Sequence, residues 1–423
     1  MKKIIALLLA LVMALSLAAC GASEKPAPTE APKTDAPATE APAAPAEAKT
    51  ITYWSMWNSE EPQGQVIQEA AAAYEAQTGV KVNIEWKGRD INTILAASLE
   101  AGEKIDMFDD DYQRIGSSYA AHTADLTEMA AAAGYKGYDC FNNQVIKWAG
   151  CLNSIVEQPQ VGGVFYIKDA FETAGVSEPT TWDEFLAVSE GLKAAGVAPM
   201  AMDAAYSNFT YYYHLVRHLG EDVIADLSAN GGWAQNAEAV AAAQEIVDYV
   251  NAGYMADGAP DEYPSGQNKL GTGEAAMVVC ANYVTAEING VFGEQNWGLF
   301  NYPTVSGSTN TAAYAGANSF AIAAYSENKQ EAFDFIMLLT TGEFDQKMAD
   351  TATQIPCDPT NTAPAALTGT IETLLAAEEP MTWCDSIRAK EDLMPSFKDL
   401  TARLYAGEFA TGEAFCAAMD ALY

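Results

Sequence analysis

Few residues in this chain could perform catalysis. The three histidines are His122, His214 and His218, and the last two stand i, i+4 on a predicted helix, from which both could reach one metal ion. The segment reads His-Leu-Val-Arg-His and lacks the glutamate of a zinc protease. We therefore interpret the pair as packing or surface histidines and predict no metal, no cofactor and no catalytic residue. The sequence has no Gly-x-Ser-x-Gly elbow, P-loop or Gly-x-Gly-x-x-Gly motif.

A second set of side chains fits binding better than catalysis. Flat aromatic rings stack on the apolar faces of pyranose rings, and carboxylates and amides hydrogen-bond to hydroxyl groups. Such residues follow two predicted strands in the first part of the chain and recur in the second part. The predicted ligand-binding set is Trp54, Trp57, Asn58 and Glu60, then Asp110, Asp111 and Tyr112, then Tyr206, Asn208, Tyr211, Asn282, Tyr283 and Trp383. Core packing explains the aromatic members equally well.

Alternating strands and helices must position these side chains. The patterns predict strands at 51–54, 80–86, 105–108 and 197–202, and helices at 65–77, 90–101, 182–195 and 237–251. Such alternation favours an α/β layer with a parallel sheet. Ligands bind at the carboxyl ends of the strands in such sheets, so we expect the loops after the first and third strands to carry the site.

The segment 164–186, VFYIKDAFETAGVSEPTTWDEFL, combines several local signals. It predicts a buried strand, a short helix that ends at Gly175, and a new helix with Thr180 or Thr181 as its N-cap. This order of strand, short helix, Pro-Thr-Thr-Trp and long helix resembles family 1 extracellular solute-binding proteins, the sugar receptors of ABC importers. Ile167 departs from that pattern, because the family usually has asparagine there.

The resemblance continues in order from about residue 51 to the C-terminus, with further matching segments at 270–279, 297–304, 314–341 and 354–356. It implies an α/β fold of two lobes, of the periplasmic-binding-protein class II type, with the ligand cleft between the lobes. On this basis we place lobe one at 50–163 plus 316–362 and lobe two at 164–315 plus 363–423. The resemblance also places cleft aromatics at Trp54 or Trp57, Tyr211, Tyr283 and Trp383, and adds Asn318 as a ligand-binding residue.

The N-terminus resembles a bacterial lipoprotein signal peptide. Lys2 and Lys3 precede an apolar stretch at 4–17, and Leu-Ala-Ala-Cys then ends at Cys20, the predicted lipidation site. Residues 21–49 repeat alanine, proline and threonine and are predicted to form a disordered linker. We therefore predict a lipid anchor on the extracellular face of the cytoplasmic membrane, as in Gram-positive bacteria. An ordinary signal peptide with a chance cysteine is the alternative.

Composition restricts the partners. The formal net charge is −35, from 57 acidic and 22 basic residues, which argues against nucleic acid because phosphate binding needs a basic surface. The prediction is a monomeric receptor that captures a carbohydrate by hinge closure and delivers it to ABC permease subunits. A lipid-tethered carbohydrate-active hydrolase is the first alternative, because pairs of acids cannot be assigned from sequence, and a receptor for peptides or metal ions is the second. For the six cysteines after Cys20, disulfides and buried thiols are both open.

Overall fold

The computed structural model describes residues 49–305, 307–377, 380–388, 390 and 392–423. The predicted signal peptide, Cys20 and residues 21–48 of the predicted linker lie outside the described residues. Within the described part, no helix has the length and apolar character needed to cross a membrane. No disulfide links the cysteines of that part, and all but Cys151 are buried.

One mixed sheet of eight strands runs through the described residues, in the order β2-β1-β3-β8-β4-β6-β5, with β7 paired to β4. The strands are β1 (Thr50–Ser55), β2 (Lys81–Trp86), β3 (Met107–Asp111), β4 (Ile155–Ile167), β5 (Ala198–Ala201), β6 (Ala275–Ala281), β7 (Trp297–Phe300) and β8 (Ala315–Ile322). The α/β prediction is confirmed, but the expectation of a parallel sheet is wrong as a general description. β1 pairs parallel with β2 and β3, and β5 pairs parallel with β6, whereas β8 and β4 are antiparallel to their neighbours.

Helices fill the connections between the strands. Those of the first half are α1 (Pro62–Thr78), α2 (Ile91–Ala101), α3 (Tyr112–Gly116), α4 (Thr127–Ala133), α5 (Asp139–Ala149), α6 (Lys168–Ala174), α7 (Trp182–Ala194) and α8 (Ser207–Leu219). The others are α9 (Glu221–Asn230), α10 (Ala237–Asn251), α11 (Asn268–Thr272), α12 (Tyr283–Phe292), α13 (Lys329–Thr340), α14 (Gly342–Ala352), α15 (Thr370–Ala376), α16 (Asp385–Arg388), α17 (Leu393–Tyr405) and α18 (Gly412–Asp420).

The 13-residue strand β4 connects two regions of the sheet. Its first half, from Ile155 to Val161, pairs with β8, and its second half, from Gly162 to Ile167, pairs with β6 and β7. The two halves also belong to different hydrophobic cores. The first core contains buried side chains from 51–161 and 315–374, and the second contains buried side chains from 164–314 and 381–419.

A smaller third hydrophobic cluster lies around β4, β6 and β7, on the face of the sheet opposite the second core. Val164 and Tyr166 of β4 pack in the second core, whereas Phe165 packs with Val278 and Trp297 in the third cluster. This alternation follows from the strand geometry, in which successive side chains point to opposite faces. The continuous apolar run of β4 is therefore explained by burial on both faces.

The local signals in the segment 164–186 are confirmed. Gly175 ends α6 in the left-handed conformation, with φ of 69°. Thr181 is the N-cap of α7, where its hydroxyl accepts a hydrogen bond from the Glu184 N–H at 3.3 Å. The Glu184 carboxylate in turn accepts a hydrogen bond from the Thr181 N–H at 3.2 Å, which completes a capping box.

Candidate ligand-binding pocket

A pocket of about 510 Å³ opens between segments that belong to the two large cores. The segments of the first core contribute the loop after β1, the turn after β2, the middle of β4, β8 and the residues after α14. The segments of the second core contribute Tyr206, which precedes α8, and the junction between β6 and α12. The lining residues are Met56, Trp57, Glu61, Pro62, Gln63, Arg89, Gln158, Tyr206, Asn282, Tyr283, Ala286, Glu287, Asn318, Ala352, Thr353 and Gln354.

Five residues of the predicted set line this pocket: Trp57, Tyr206, Asn282, Tyr283 and Asn318. Trp57 and Asn318 come from the segments of the first core. The other three come from the segments of the second core, more than a hundred residues from Trp57 in sequence. The structure therefore brings together aromatic and amide side chains that sequence reasoning had placed in both halves of the chain.

Asp110, Asp111 and Tyr112, which the sequence predicts to follow the strand 105–108, lie at the end of β3 and the start of α3, have structural partners and do not line the pocket. Asp110 is buried and forms an ion pair with Arg114, whose Nη2 lies 2.5 Å from the Asp110 Oδ1. Asp111 is the N-cap of α3, and its carboxylate accepts a hydrogen bond from the Arg114 N–H at 3.1 Å. The Tyr112 ring is buried with its centroid 5.0 Å from that of Trp148. These contacts stabilise the end of β3.

Three further members of the predicted set pack among aromatic or polar neighbours outside the pocket. Trp54 is buried beneath the Lys87 amine, which lies 3.8 Å from the ring centroid. Tyr211 is fully buried in the second core. Trp383 stacks on Phe209 with 4.0 Å between ring centroids. Of these rings, Trp383 is adjacent to the pocket, since its centroid is 6.0 Å from that of Tyr206.

The last three predicted residues are polar. Asn208 is fully buried, and its amide donates to the Cys384 sulfur at 3.5 Å. Asn58 and Glu60 are exposed on the loop that follows Trp57. The Asn58 amide donates to Glu61, which does line the pocket, at 3.3 Å.

The Trp57 indole is fixed on two sides. The Arg89 guanidinium lies 4.5 Å from its ring centroid, a cation–π arrangement, and the indole Nε1–H donates to the Glu157 Oε1 at 2.5 Å. Arg89 also donates to the Met56 carbonyl at 2.5 Å and to the Glu61 Oε2 at 3.2 Å. The loop after β1 is therefore held in place by one arginine and one buried carboxylate.

Two buried carboxyl groups lie behind this loop. Burial raises the pKa of Asp109 to about 7, although the Tyr53 hydroxyl, the Met56 N–H and the Ser55 hydroxyl all donate to it. Burial also raises the pKa of Glu157 well above its usual range, and the nearby Asp109 charge raises it further. Because each charge disfavours the other, both groups hold their protons more tightly than exposed carboxyls do.

The opposite wall is built around the end of β6. The Asn282 Oδ1 accepts a hydrogen bond from the Val161 N–H at 2.9 Å, and the Asn282 N–H donates to the Val161 carbonyl at 3.0 Å. The rings of Tyr206 and Tyr283 lie side by side, with centroids 6.2 Å apart. Asn282 therefore anchors the start of α12 on β4, and both tyrosines are half-buried beside it.

The pocket also contains polar groups that sequence reasoning missed. The Asn318 amide donates to the Gln158 Oε1 at 2.8 Å, and Glu287 accepts from the Gln267 amide at 2.6 Å. The Gln354 Oε1 is buried and has no hydrogen-bond partner within the described residues. Glu287 could have been found, because it stands i+4 from Tyr283 on the same helix. Gln158 and Gln354 carry no comparable signal.

The predicted histidine pair lies on α8, outside the residues that line the pocket. His214 is fully buried, and burial lowers its pKa, an effect that the carboxylate of Glu245 on α10 opposes. The described residues contain a group of possible metal ligands here, formed by His214, His218 and Glu245. Glu245 lies 27 residues after His218, and no local pattern indicates that it meets the histidines.

Comparisons with known proteins agree with this architecture. The structure is similar to a chitin oligosaccharide binding protein, with a TM-score of 0.69 and 19% identity over 89% of this chain and 98% of that one. It is also similar to the apo form of RafE from Streptococcus pneumoniae, with a TM-score of 0.73 and 17% identity over 90% and 98%. For RafE in complex with raffinose the TM-score is 0.69 and the identity 17%, over 88% and 98%. A search of the sequence against curated proteins gives no significant match.

These likenesses confirm the predicted two-lobed fold of periplasmic sugar-binding proteins. The family model described as bacterial extracellular solute-binding protein matches residues 57–343, which is more than half of the chain. The match includes both the loop that carries Trp57 and the junction that carries Tyr283. The chain therefore belongs to the bacterial extracellular solute-binding protein family.

Proposed function

We propose that this protein captures a carbohydrate, in particular an oligosaccharide, in the pocket between the two cores and delivers it to the permease subunits of an ABC importer. The observation that carries the proposal is the composition of the two walls. Trp57 stands on one wall, and Tyr206 and Tyr283 stand on the other, so aromatic side chains line the pocket from both sides. The similarity to proteins named for chitin oligosaccharide and raffinose binding supports the same ligand class.

The polar lining complements the rings. Carboxylates and amides of Glu61, Gln158, Glu287 and Asn318 accept or donate hydrogen bonds as sugar hydroxyls require. The volume of about 510 Å³ falls within the usual range of small-molecule sites, roughly 300–1,000 Å³. The buried Gln354 Oε1 offers an acceptor that a ligand hydroxyl would satisfy.

Ligand capture would use closure of two lobes about the segments that connect them. We propose lobe one at 50–163 plus 316–362 and lobe two at 164–315 plus 363–423. Leu367 and Leu374 pack in the first core, which favours moving the third boundary, at 362/363, to a position after Leu374. The crossing in β4 at Gly162 agrees with the first boundary.

The test uses a thermal-shift screen against a glycan panel, followed by calorimetry with the best ligand. Tyr283→Ala and Tyr206→Ala should each lower the affinity tenfold to a hundredfold, because about 1–3 kcal/mol is the scale of burying one ring against a sugar face. Tyr211→Phe is the matched control, because its ring is in the second core and its affinity should equal that of the wild type. Equal affinities in all variants would contradict the assignment of the pocket.

Two further measurements test closure and turnover. Small-angle scattering should show a smaller radius of gyration at saturating sugar, and an unchanged radius would argue against closure. The sugar should remain intact after long incubation with pure protein. Release of shorter sugars would instead favour the alternative of a tethered hydrolase.

We also propose the lipid anchor on the extracellular side of the membrane, on the basis of the sequence around Cys20. Cys20→Ser should release the protein into the medium. Retention of this variant in the membrane fraction after a high-salt wash would contradict the anchor.

A further inference from the structure

The histidines that the sequence analysis assigned to packing have a third partner in space. His214 and His218 lie one turn apart on α8, and Glu245 reaches them from α10. The Nε2 atoms of the two histidines lie 3.1 and 3.2 Å from the same carboxylate oxygen, Oε2 of Glu245. The three atoms all lie within 4.8 Å of one another, and the two nitrogen–oxygen separations are the short ones.

These separations are those of ligands around a small ion. Zinc binds imidazole nitrogen at roughly 2.0–2.1 Å and carboxylate oxygen at roughly 2.0–2.2 Å, so the edges of its tetrahedron measure about 3.3 Å. The buried His214 Nε2 lies 3.1 Å from the Glu245 Oε2 but lacks hydrogen-bond geometry, whereas the His218 Nε2 forms a hydrogen bond of 3.2 Å with the same oxygen. An ion between them would satisfy both atoms.

The outer nitrogens of the two imidazoles have unequal support. The Nδ1 of His214 lies 3.1 Å from the Tyr302 hydroxyl, which can accept a hydrogen bond from Nδ1–H. The Nδ1 of His218 lies 3.6 Å from the Glu238 carboxylate. The Tyr302 hydroxyl is a partner of the kind that orients a metal-binding histidine through its second ring nitrogen, whereas 3.6 Å is too long for a hydrogen bond between His218 and Glu238.

The surroundings allow access from one side. His214 is fully buried, the His218 side chain is 7% exposed and the Glu245 side chain is 31% exposed. A metal held by these three residues could therefore keep a solvent molecule as its fourth ligand. The three ligands come from two helices, so metal binding would link α8 to α10.

We infer that His214, His218 and Glu245 form a binding site for a divalent transition-metal ion of the zinc type, distinct from the ligand pocket. Imidazole and carboxylate ligands together suit zinc, whose affinity for such ligands exceeds that of manganese or iron. The role that follows from the position is structural, because none of the three residues lines the pocket. This inference reverses the expectation from sequence, which considered the two histidines without their third ligand.

The test is titration of the metal-free protein with zinc chloride, followed by calorimetry and elemental analysis. We expect one zinc per chain, and a melting temperature that rises by a few degrees with excess zinc. His218→Ala should weaken binding at least about a hundredfold, because loss of even an outer partner weakens metal sites tenfold to a hundredfold. Glu245→Gln keeps the size of the side chain and should act in the same direction.

The matched control is His122→Ala, which removes the third histidine of the chain and should bind zinc like the wild type. Circular dichroism of the metal-free proteins establishes whether each variant is folded. If His218→Ala does not fold, Glu245→Gln serves as the test. Absence of zinc binding by the wild type at millimolar zinc overturns the inference. So does zinc binding that both ligand variants retain.

Discussion

Replacement of Asp109 by asparagine should remove a large part of the pH dependence of stability. The Asp109 carboxylate is fully buried beneath the loop that carries Trp57 and accepts the Met56 N–H at 2.5 Å. Burial raises its pKa from 3.8 to about 7, and the hydrogen bonds that it accepts only partly offset this effect. In the unfolded chain the same group titrates near its ordinary value.

The sign follows from the proton count. Between pH 4 and pH 7 the folded protein keeps a proton on Asp109 that the unfolded chain has released, so the free energy of unfolding falls as pH rises. The stabilisation by the Asp109 proton is complete below the pKa that Asp109 has in the unfolded chain. It is lost as pH rises through the pKa that Asp109 has in the folded protein. A single group contributes at most roughly 1.4 kcal/mol for each pH unit, so about 4 kcal/mol is the upper bound for the whole window.

The assay is urea unfolding of the wild type and Asp109→Asn at pH 5, 6, 7 and 8. Carboxyl groups remote from Asp109 titrate alike in both proteins, so the difference in unfolding free energy reports Asp109 together with Glu157, whose pKa falls when the Asp109 charge is removed. We expect the wild type to lose up to about 1.4 kcal/mol per pH unit relative to the variant from pH 5 to pH 7, and little beyond. Because the Asp109 charge raises the pKa of Glu157, the two groups release their protons over a broader pH range than one group would.

Asp345→Asn provides the matched control. Asp345 is buried on α14, and burial raises its pKa to about 6, so its difference curve should level about one pH unit earlier. A difference between wild type and Asp109→Asn that does not change between pH 5 and pH 7 would refute the reasoning. It would mean that water or a shift of the loop relieves the burial of the carboxyl group.

Three further substitutions test the backbone and packing. Thr353→Gly should raise the free energy of unfolding by about 1 kcal/mol, because Thr353 ends α14 with φ of 48°, a conformation that favours glycine. An unchanged midpoint of denaturant unfolding would contradict this prediction. Arg217→Lys should lower the free energy of unfolding by about 2–4 kcal/mol. The buried guanidinium donates to the Tyr302 and Ala312 carbonyls, each at 2.8 Å, and one ammonium group cannot make both hydrogen bonds. Gly64→Ala should lower ligand affinity, since a Cβ would lie 2.1 Å from the Asn58 carbonyl and displace the loop after Trp57, whereas Gly290→Ala, with open space at its Cβ, should bind normally.

The sequence by itself determined the features that depend on near neighbours. Helix 237–251 has in the structure the bounds that the sequence predicts, and Asn236 caps its first turn by accepting the Ala239 N–H. The Thr181–Glu184 capping box and the end of α6 at Gly175 are local in the same sense. Each signal acts within one helical turn, so the sequence shows it directly.

The rule that sites follow strand ends was only partly sufficient. It led to Trp57, which lines the pocket, but it gave equal weight to Asp110, whose charge is paired with Arg114 one turn later. It likewise could not separate Tyr206, which faces the pocket, from Tyr211, which faces the second core. Both tyrosines lie in the same aromatic stretch, and only the packing of α8 against the rest of the second core decides between them.

Contacts between distant segments were decided by tertiary structure alone. Glu245 meets His214 and His218 because α8 and α10 pack together, and Gln354 meets Trp57 in one pocket because the chain returns to the first core after residue 315. The antiparallel entry of β8 beside β3 has the same origin. Such pairings depend on how whole buried faces fit together, and no short stretch of sequence contains that information.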